Sequence, residues 1–387
     1  MINYGRHYVD NNDLINIKKV FSSEHLTTGP FVKLFENTLK KYFDANYCLA
    51  VSSGSAALHM AGRALGWDKK TSVITTPITF VSTINSIIHN KSNPVLVDID
   101  AKTYTIDPNL IEHKVKELRN RKIKKISIIA VDYAGHPCDW ESLRYLSNKY
   151  GLHLVNDNCH SLGTKYKKKY SYAADYADIV TQSFHPVKNI TTGEGGAFIT
   201  KNKYFFEKVE NFRSHCMEKN LSTKKIGRWY YNVSDLGFNY RINDIQCALG
   251  ISQLKKIGKF LKRRNEIASL YNKSFSQSNF CETPKVKANL GIKHAYHLYP
   301  IQINFNAVKM NKKEFFNFFY KNKINLQVHY VPVYKFTCFK KLKFYKSKKF
   351  PVAENFYNNE VSLPIYYNLS NRNIFKVVQL VKRCLAN

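Results

Sequence analysis

The sequence lacks any long apolar run, which argues against a membrane-spanning protein. No segment approaches the ~18 consecutive apolar residues needed to cross a bilayer. The opening residues MINYGRHYVDNND also lack the charged-then-apolar form of a signal peptide. We therefore expect no membrane partner and a protein that stays in the cytoplasm.

Paired cysteine motifs are also missing. The eight cysteines are scattered, with no CxxC pair and no Cys/His spacing of a zinc site. Such a set is typical of reduced, mostly buried thiols and argues against a disulfide framework. We predict no bound metal.

Acidic residues are scarce. There are 28 of them against 60 lysines and arginines, which gives a formal net charge of +32. Nucleic acid is the first partner that such a charge suggests. However, the excess is mostly lysine and is spread over the whole chain, without a helix-turn-helix, RRM, KH or finger signature. A solvated surface that attracts an anionic small substrate explains the charge as well, so we predict no nucleic-acid partner.

Short apolar runs alternate with helical stretches between residues 45 and 200. They are SVITTP, NPVLVDID, ISIIAVD, LHLVND, DIVTQSF and GGAFIT. Strands that are apolar throughout are covered on both faces, so the pattern predicts an α/β fold with a mainly parallel sheet. In such folds the chemistry gathers beyond the carboxyl ends of the strands.

The pattern becomes helical after residue 242. Apolar residues recur there at spacings of three to five, and Asn243 is a candidate N-cap, which predicts one long helix. We expect a large domain over 1–254 and a small α+β domain over 255–387. Residues 1–15 could pack on the small domain.

Lys188 differs in its surroundings from most other lysines of the chain. It lies in SFHPVKNITTGEGG, between Pro186 and a glycine-rich turn, whereas most others occur in charged runs. A lysine amine attacks a carbonyl only when it is unprotonated, and burial lowers its pKa. The motif therefore predicts a reacting amine in a protected pocket, with a surface charge as the alternative.

Five other residues could complete a site around that lysine. Asp157 ends an apolar run, and it could cap a helix or keep a pyridine nitrogen protonated. Gly54, Ser55 and Ala56 lie at a loop-to-helix junction, which suits a phosphate. Phe80 follows a strand and could either stack on an aromatic ring or belong to the core. Together these residues favour a cofactor site.

Motifs along nearly the whole chain resemble those of a known family. They are YGRHYVD, LTTGP, SSGSAALH, TPITFVST, DYAGHPCD, DNCHSLG, SFHPVKNITTGEGG, GFNYRINDIQ and VHYVPVY. With them the chain resembles the DegT-type (DegT/DnrJ/EryC/StrS) nucleotide-sugar aminotransferases, which use pyridoxal 5′-phosphate (PLP) and have transferase fold type I. NITTGEGG is similar to the form in relatives that aminate C4 of the sugar, whereas C3 enzymes usually carry NLGAxGDGG.

The resemblance implies a role for each candidate residue. Lys188 would bind PLP covalently, and Asp157 would pair with the pyridine nitrogen. Phe80 would stack on the ring, His160 would lie beside it, and the phosphate would be held at Gly54, Ser55, Ala56 and Ser183.

Asn239 would reach the phosphate of a neighbouring subunit's cofactor, which implies a homodimer with shared active sites. The substrate pocket would include Thr27, Thr28, Gly29 and His185. The implied substrates are a UDP-linked 4-keto-6-deoxy-N-acetylhexosamine and glutamate as the amino donor.

Three residues depart from the family pattern. Asn156 replaces a frequent glutamate and Asn158 a small residue, and both could tune the pocket. Cys216 replaces a glycine in ArgSerHisGly. If that glycine needs a positive φ, the loop should differ here.

Three alternatives stay open. Some relatives of the fold dehydrate the sugar at C3 with histidine in place of the lysine, and Lys188 argues against that reaction. A non-catalytic regulator or binding protein of this fold would be expected to carry an added DNA-binding segment, for which we find no room. Another 4-keto sugar, such as the one leading to perosamine or bacillosamine, also fits the motif after Lys188.

Overall fold

The computed structural model describes residues 1–218, 225–287, 290–341 and 349–386. Its centre is a seven-stranded sheet of strands β2 to β8. They are β2 Tyr47–Val51, β3 Thr71–Thr75, β4 Asn93–Leu96, β5 Lys125–Val131, β6 His153–Asp157, β7 Ile179–Ser183 and β8 Gly196–Thr200. The spatial order is β2-β8-β7-β6-β5-β3-β4.

The central sheet is mainly parallel, as predicted. Strands β4, β3, β5, β6 and β7 pair in parallel, and β8 pairs antiparallel with both β7 and β2. Nearly every residue of these strands is buried, because helices cover both faces. The apolar runs of the sequence therefore predicted the strands of the central sheet.

Helices α1 to α8 belong to the region that contains this sheet. They are α1 Asn11–Phe21, α2 Pro30–Phe43, α3 Gly54–Ala64, α4 Val81–His89, α5 Pro108–Asn120, α6 Trp140–Tyr150, α7 Tyr172–Tyr176 and α8 Lys203–Glu210. Three of them, α3, α4 and α6, begin just beyond the carboxyl end of a strand or beyond the short loop that follows the strand. This places their N-termini at the edge where a ligand would bind.

The predicted long helix is two helices. Helix α9 is Asp244–Lys255 and α10 is Ile257–Phe275, with Lys256 between them. Asn243 caps α9 in a capping box with Gln246, as its position predicted. The Lys256 ammonium donates to Asp10 and to Asp13, so contacts with the N-terminal region accompany the break.

The second region contains a small antiparallel sheet. Its order is β11-β12-β14, with β11 Cys281–Glu282, β12 Tyr299–Ile303 and β14 Glu360–Leu363. The remaining elements are β9 Met217–Glu218, β10 Asn232–Val233, α11 Lys312–Lys321, β13 Ile324–Asn325, α12 Thr337–Lys340, α13 Pro351–Asn359 and α14 Asn371–Ala386.

The N-terminus pairs with the second region. Strand β1, Ile2–Asn3, runs parallel to β13, and the Ile365 N–H donates to the Tyr4 carbonyl. A domain boundary at residues 254 and 255 remains a prediction. Among the described helices, none combines the length and the apolar character that crossing a membrane requires.

Candidate active site

A cavity of about 600 Å³ opens at the carboxyl edge of the central sheet. Its wall includes Asp157 at the end of β6, Ser183 at the end of β7 and Gly54 at the start of α3. Lys188 and Phe80 also line it. Small-molecule sites commonly enclose about 300–1,000 Å³, so the cavity can hold a cofactor-sized ligand.

Lys188 lies in a loop that is fixed by its own hydrogen bonds. The Lys188 N–H donates to the His185 carbonyl at 2.8 Å, and the Thr192 N–H donates to the Phe184 carbonyl at 2.9 Å. The Asn189 amide donates to the Leu162 carbonyl at 2.8 Å. Desolvation lowers the pKa of Lys188, against the opposing effect of nearby Cys159 and Asp157. The amine is therefore placed and tuned as a nucleophile requires.

Asp157 is a buried carboxylate at the cavity wall. The Thr83 hydroxyl donates to its Oδ2 at 2.8 Å, and the Cys159 N–H reaches Oδ1 at 3.4 Å. In the described chain the next helix after Asp157 begins only at Tyr172, so the helix-capping interpretation is wrong. The carboxylate instead faces the cavity, where it can pair with a protonated ring nitrogen.

The start of α3 forms an anion site together with Ser183. Ser53 caps the helix by accepting from the Ala56 N–H at 3.1 Å. Within the described residues, the N–H groups of Gly54 and Ser55 have no acceptor and remain available to a phosphate. A Cβ on Gly54 would lie 2.7 Å from Ser183 Cβ, so only glycine lets the two segments approach this closely. Ala56 is buried, and it is not among the described residues that line the cavity.

His160 and Phe80 provide rings at the cavity wall. Phe80 is 56% exposed, so it is not a core residue. His160 Nδ1 accepts from the Ala134 N–H at 3.3 Å, which leaves the proton on Nε2, 3.0 Å from the Tyr330 hydroxyl. Burial lowers the pKa of His160 well below its usual range, with the Lys188 charge adding to the effect. His160 is therefore a neutral imidazole with a defined tautomer.

Of the other predicted site residues, one lines the described wall of the cavity and four do not. His185 lines it. Thr27, Thr28 and Gly29 are not part of its wall in the described chain. Thr27 forms a backbone bridge to Asn243, and the Gly29 N–H donates to Asp244 at 2.8 Å. Asn239 is exposed and bridges to Ser214, also outside the described wall of this cavity.

The two asparagines that flank Asp157 share one buried partner. Asn156 and Asn158 both donate to Asp132 Oδ2, at 3.3 and 2.8 Å. Burial raises the pKa of Asp132 to about 6, although its hydrogen bonds oppose the shift. Both asparagines lie behind the cavity wall, so their contacts fix the end of β6 rather than shape the pocket.

Cys216 occupies the position of the family glycine with φ of 54°. His215 before it also has a positive φ, of 60°. The backbone is therefore left-handed at Cys216 although the residue is not glycine, and the expected difference in the loop is not seen. A non-glycine residue in this region costs on the order of 1 kcal/mol, which the surrounding structure must offset.

Many residues of the wall were not predicted, and four of them that carry rings come from the N-terminus of the chain or from the second region. They are Tyr4, His297, His329 and Tyr330. The His297 ring lies 4.4 Å from the His160 ring, and Tyr330 is the hydrogen-bond partner of His160. The motif VHYVPVY was the only signal for the last two, and a motif carries no position in space.

The donor set fits PLP. A hydroxyl and free N–H groups suit its phosphate, a buried carboxylate suits its ring nitrogen, and a desolvated lysine suits its aldehyde. In the part of the chain that the structure describes, no group of three or more His, Cys, Asp or Glu residues could hold a metal ion. The fold and the cavity thus define the class of PLP-dependent enzymes that use a lysine.

The chain belongs to the DegT/DnrJ/EryC1/StrS aminotransferase family, whose sequence profile matches residues 7–382. It is a PLP-dependent nucleotide-sugar aminotransferase. It is 34% identical over 391 residues to the UDP-4-amino-4,6-dideoxy-N-acetyl-β-L-altrosamine transaminase of Campylobacter jejuni, with 99% of each chain covered. An uncharacterized protein of Methanocaldococcus jannaschii is 37% identical over 97% of this chain and 94% of its own.

A solved structure is similar over the whole chain. PseC of Helicobacter pylori, an aminotransferase involved in the biosynthesis of pseudoaminic acid, aligns with a TM-score of 0.89 at 31% identity. The alignment covers 100% of this chain and 99% of PseC. The predictions of family, fold type and cofactor are therefore confirmed.

Proposed function

We propose that the chain aminates C4 of a UDP-linked 4-keto-6-deoxy-N-acetylhexosamine, with glutamate as the amino donor. The product would be UDP-4-amino-4,6-dideoxy-N-acetyl-β-L-altrosamine, an intermediate for pseudaminic acid. The observation that carries this proposal is the end-to-end similarity to the Campylobacter jejuni transaminase of that product. The sequence NITTGEGG after Lys188 supports amination at C4.

The residues of the cavity would divide the work of binding and proton transfer. PLP, when bound, supplies an electron sink for negative charge at the carbon that loses a proton. Asp157, held by Thr83, would keep the ring nitrogen protonated. Ser183 and the N–H groups of Gly54 and Ser55 would hold the phosphate.

Lys188 would act as both base and acid. Its amine would take the proton from Cα of glutamate and return a proton in the second half of the reaction. A lowered pKa favours the neutral amine that this role needs. The hydrogen-bonded loop around it keeps the amine in place through both steps, and His185 would contact the substrate.

Asn239 would complete the active site of a second subunit. Its exposed position outside its own cavity suits that role, and the segment before it carries apolar side chains to the surface. Trp229 is 79% exposed and Leu236 is 86% exposed. Exposed apolar side chains clustered on one segment are typical of a protein interface. Thr27, Thr28 and Gly29, also outside the described wall of their own cavity, would reach the substrate in the assembled homodimer.

The experiment is a direct assay of the reaction. The PLP-loaded protein is incubated with UDP-2-acetamido-2,6-dideoxy-β-L-arabino-hexos-4-ulose and glutamate, and the sugar product is followed by NMR. We expect the 4-amino altrosamine product, and none with Lys188→Ala. Loss of the amino group from glutamate without conversion of this sugar would contradict the substrate and direct the assay to other 4-keto sugars.

A further inference from the structure

A chain of buried hydrogen bonds leads from the small sheet to the cavity wall. Glu360 and Ser362, both on β14, have no exposed surface. Glu360 Oε2 accepts from the His329 N–H at 3.0 Å, and Glu360 Oε1 lies 2.5 Å from Ser362 Oγ. Ser362 Oγ is 2.8 Å from His329 Nδ1. Glu360 is therefore linked to the His329 ring through one hydroxyl group.

This geometry allows two arrangements of protons. An ionised Glu360 can only accept, so the Ser362 hydroxyl donates to it and its oxygen accepts from Nδ1–H of His329. A protonated Glu360 keeps Oε2 as the acceptor of the His329 N–H and donates from Oε1 to Ser362. The hydroxyl must then donate to His329 Nδ1, which moves the imidazole proton to Nε2.

The outer nitrogen of His329 therefore changes its character with the state of Glu360. His329 lines the cavity, and of its two ring nitrogens only Nδ1 has a hydrogen-bond partner among the described residues. Burial and the Lys188 charge lower the pKa of His329 to about 3, so the ring remains neutral in both arrangements. Nε2 is an acceptor when Glu360 is ionised and a donor when Glu360 is protonated.

We propose that Glu360 and Ser362 are positioning residues whose proton arrangement decides whether His329 offers the nucleotide sugar a hydrogen-bond acceptor or a donor. An acceptor nitrogen suits a sugar hydroxyl, whereas the carboxylates of glutamate have no hydrogen to give it. The inference needs a nucleotide-sugar substrate, and it does not depend on which sugar the proposed function names.

Both arrangements are accessible near neutral pH. Burial raises the pKa of Glu360 to about 8, while Ser362 and the Lys312 ammonium act in the opposite direction. Burial likewise lowers the pKa of Lys312 to about 8. Among the described residues, the titratable groups that face Glu360 are Lys312 of α11, His329, Tyr104, Tyr133 and Tyr330. Those that face His329 are Lys188, His160, His297 and Tyr4.

The first test is the tautomer of His329, read by NMR of protein labelled with ¹⁵N-histidine. The signals of His329 among the 13 histidines are identified by their loss in His329→Gln. In the wild type we expect Nδ1–H to gain population as the pH rises from 6 to 9. A tautomer that does not change over this range would overturn the proposal.

Glu360→Gln tests the same relay without a change of pH. The His329 N–H needs an acceptor, so the amide oxygen turns toward it and the amide N–H group faces Ser362. This variant should carry the His329 proton on Nε2 at every pH, and a variant that keeps Nδ1–H contradicts the proposal. Glu354→Gln is the matched control, because Glu354 pairs with Lys335 in the same region and should leave His329 unchanged.

Kinetics of the two half-reactions test the consequence for binding. With the UDP-linked 4-keto sugar at pH 9, where Glu360 of the wild type is mostly ionised, Glu360→Gln should raise KM roughly 3- to 10-fold, the worth of one neutral hydrogen bond. The KM for glutamate should not rise. A parallel rise of both KM values would contradict the proposal, as would an unchanged KM for the sugar. If the wild type does not convert this sugar, the substrate is wrong, and the NMR result still decides the relay.

Discussion

The approach of Gly54 to Ser183 gives a quantitative test of the phosphate site. In Gly54→Ala the new methyl carbon would lie 2.7 Å from Ser183 Cβ and 3.3 Å from the Gln182 carbonyl oxygen. Carbon atoms in contact are normally about 3.5–4.0 Å apart, so the start of α3 and the end of β7 must separate by nearly an ångström. Overpacking of this kind costs ~1–3 kcal/mol.

The separation should weaken PLP binding more than it weakens the fold. A hydrogen bond to a charged group contributes about 1.5–3 kcal/mol, and the loss of one from the phosphate corresponds to a roughly 10- to 150-fold higher Kd. The measurement is a titration of the apoprotein with PLP, followed by the absorbance of the bound cofactor. If Gly54→Ala binds PLP as tightly as the wild type, α3 and Ser183 do not hold the phosphate.

Gly258→Ala is the matched control. A Cβ on Gly258 meets no atom within 4 Å, and the residue lies inside α10. The substitution should stabilise the protein by about 0.5–1 kcal/mol through the lower backbone entropy of the unfolded chain. Its PLP affinity should equal that of the wild type, so a weaker affinity would mean that the assay reports general effects of substitution.

The remaining predictions concern three other parts of the site. Thr83→Val removes the hydroxyl donor of Asp157 and should lower kcat about tenfold or more, since a charged group loses one hydrogen bond. Steady-state kinetics at saturating substrate measure this effect. An unchanged kcat would show that Thr83 is dispensable. Because desolvation lowers the pKa of Lys188, covalent attachment of PLP should reach half its maximal rate at a pH below that of an exposed lysine. Stopped-flow absorbance across pH tests this, and a midpoint at or above the lysine value contradicts it. Leu236→Asp should dissociate the proposed homodimer and abolish turnover, whereas a monomeric wild type in sedimentation would refute the shared active site.

The central sheet and its reactive edge were predictable because their signals are local. Each strand is a short apolar run, and Asp157 follows from the position where such a run ends, whereas the role of Ser183 was implied only by the family resemblance. Lys188 was identified by its contrast with the charged runs around other lysines. The strands and Asp157 needed only the apolar pattern within one segment, and Lys188 needed only a comparison of the residues next to each lysine.

The rest of the site depends on contacts between distant segments. Tyr330 meets His160 across a separation of 170 residues, and no local pattern predicts such a contact. The break at Lys256 has the same origin, since its partners Asp10 and Asp13 lie far away in sequence. The helical period continues through the break, so the sequence predicted one helix.

The second region helps to determine which hydrogen-bond donors and acceptors the histidines of the cavity wall present. His160 from the large region has a defined tautomer because Ala134 donates to one nitrogen and Tyr330 contacts the other. His329 is joined to the small sheet by the Glu360 carboxylate and the Ser362 hydroxyl. Burial keeps both imidazoles neutral, so each offers one donor and one acceptor and contributes no fixed charge. In the proposed reaction these two rings would therefore contribute to substrate recognition through the polarity of their hydrogen bonds.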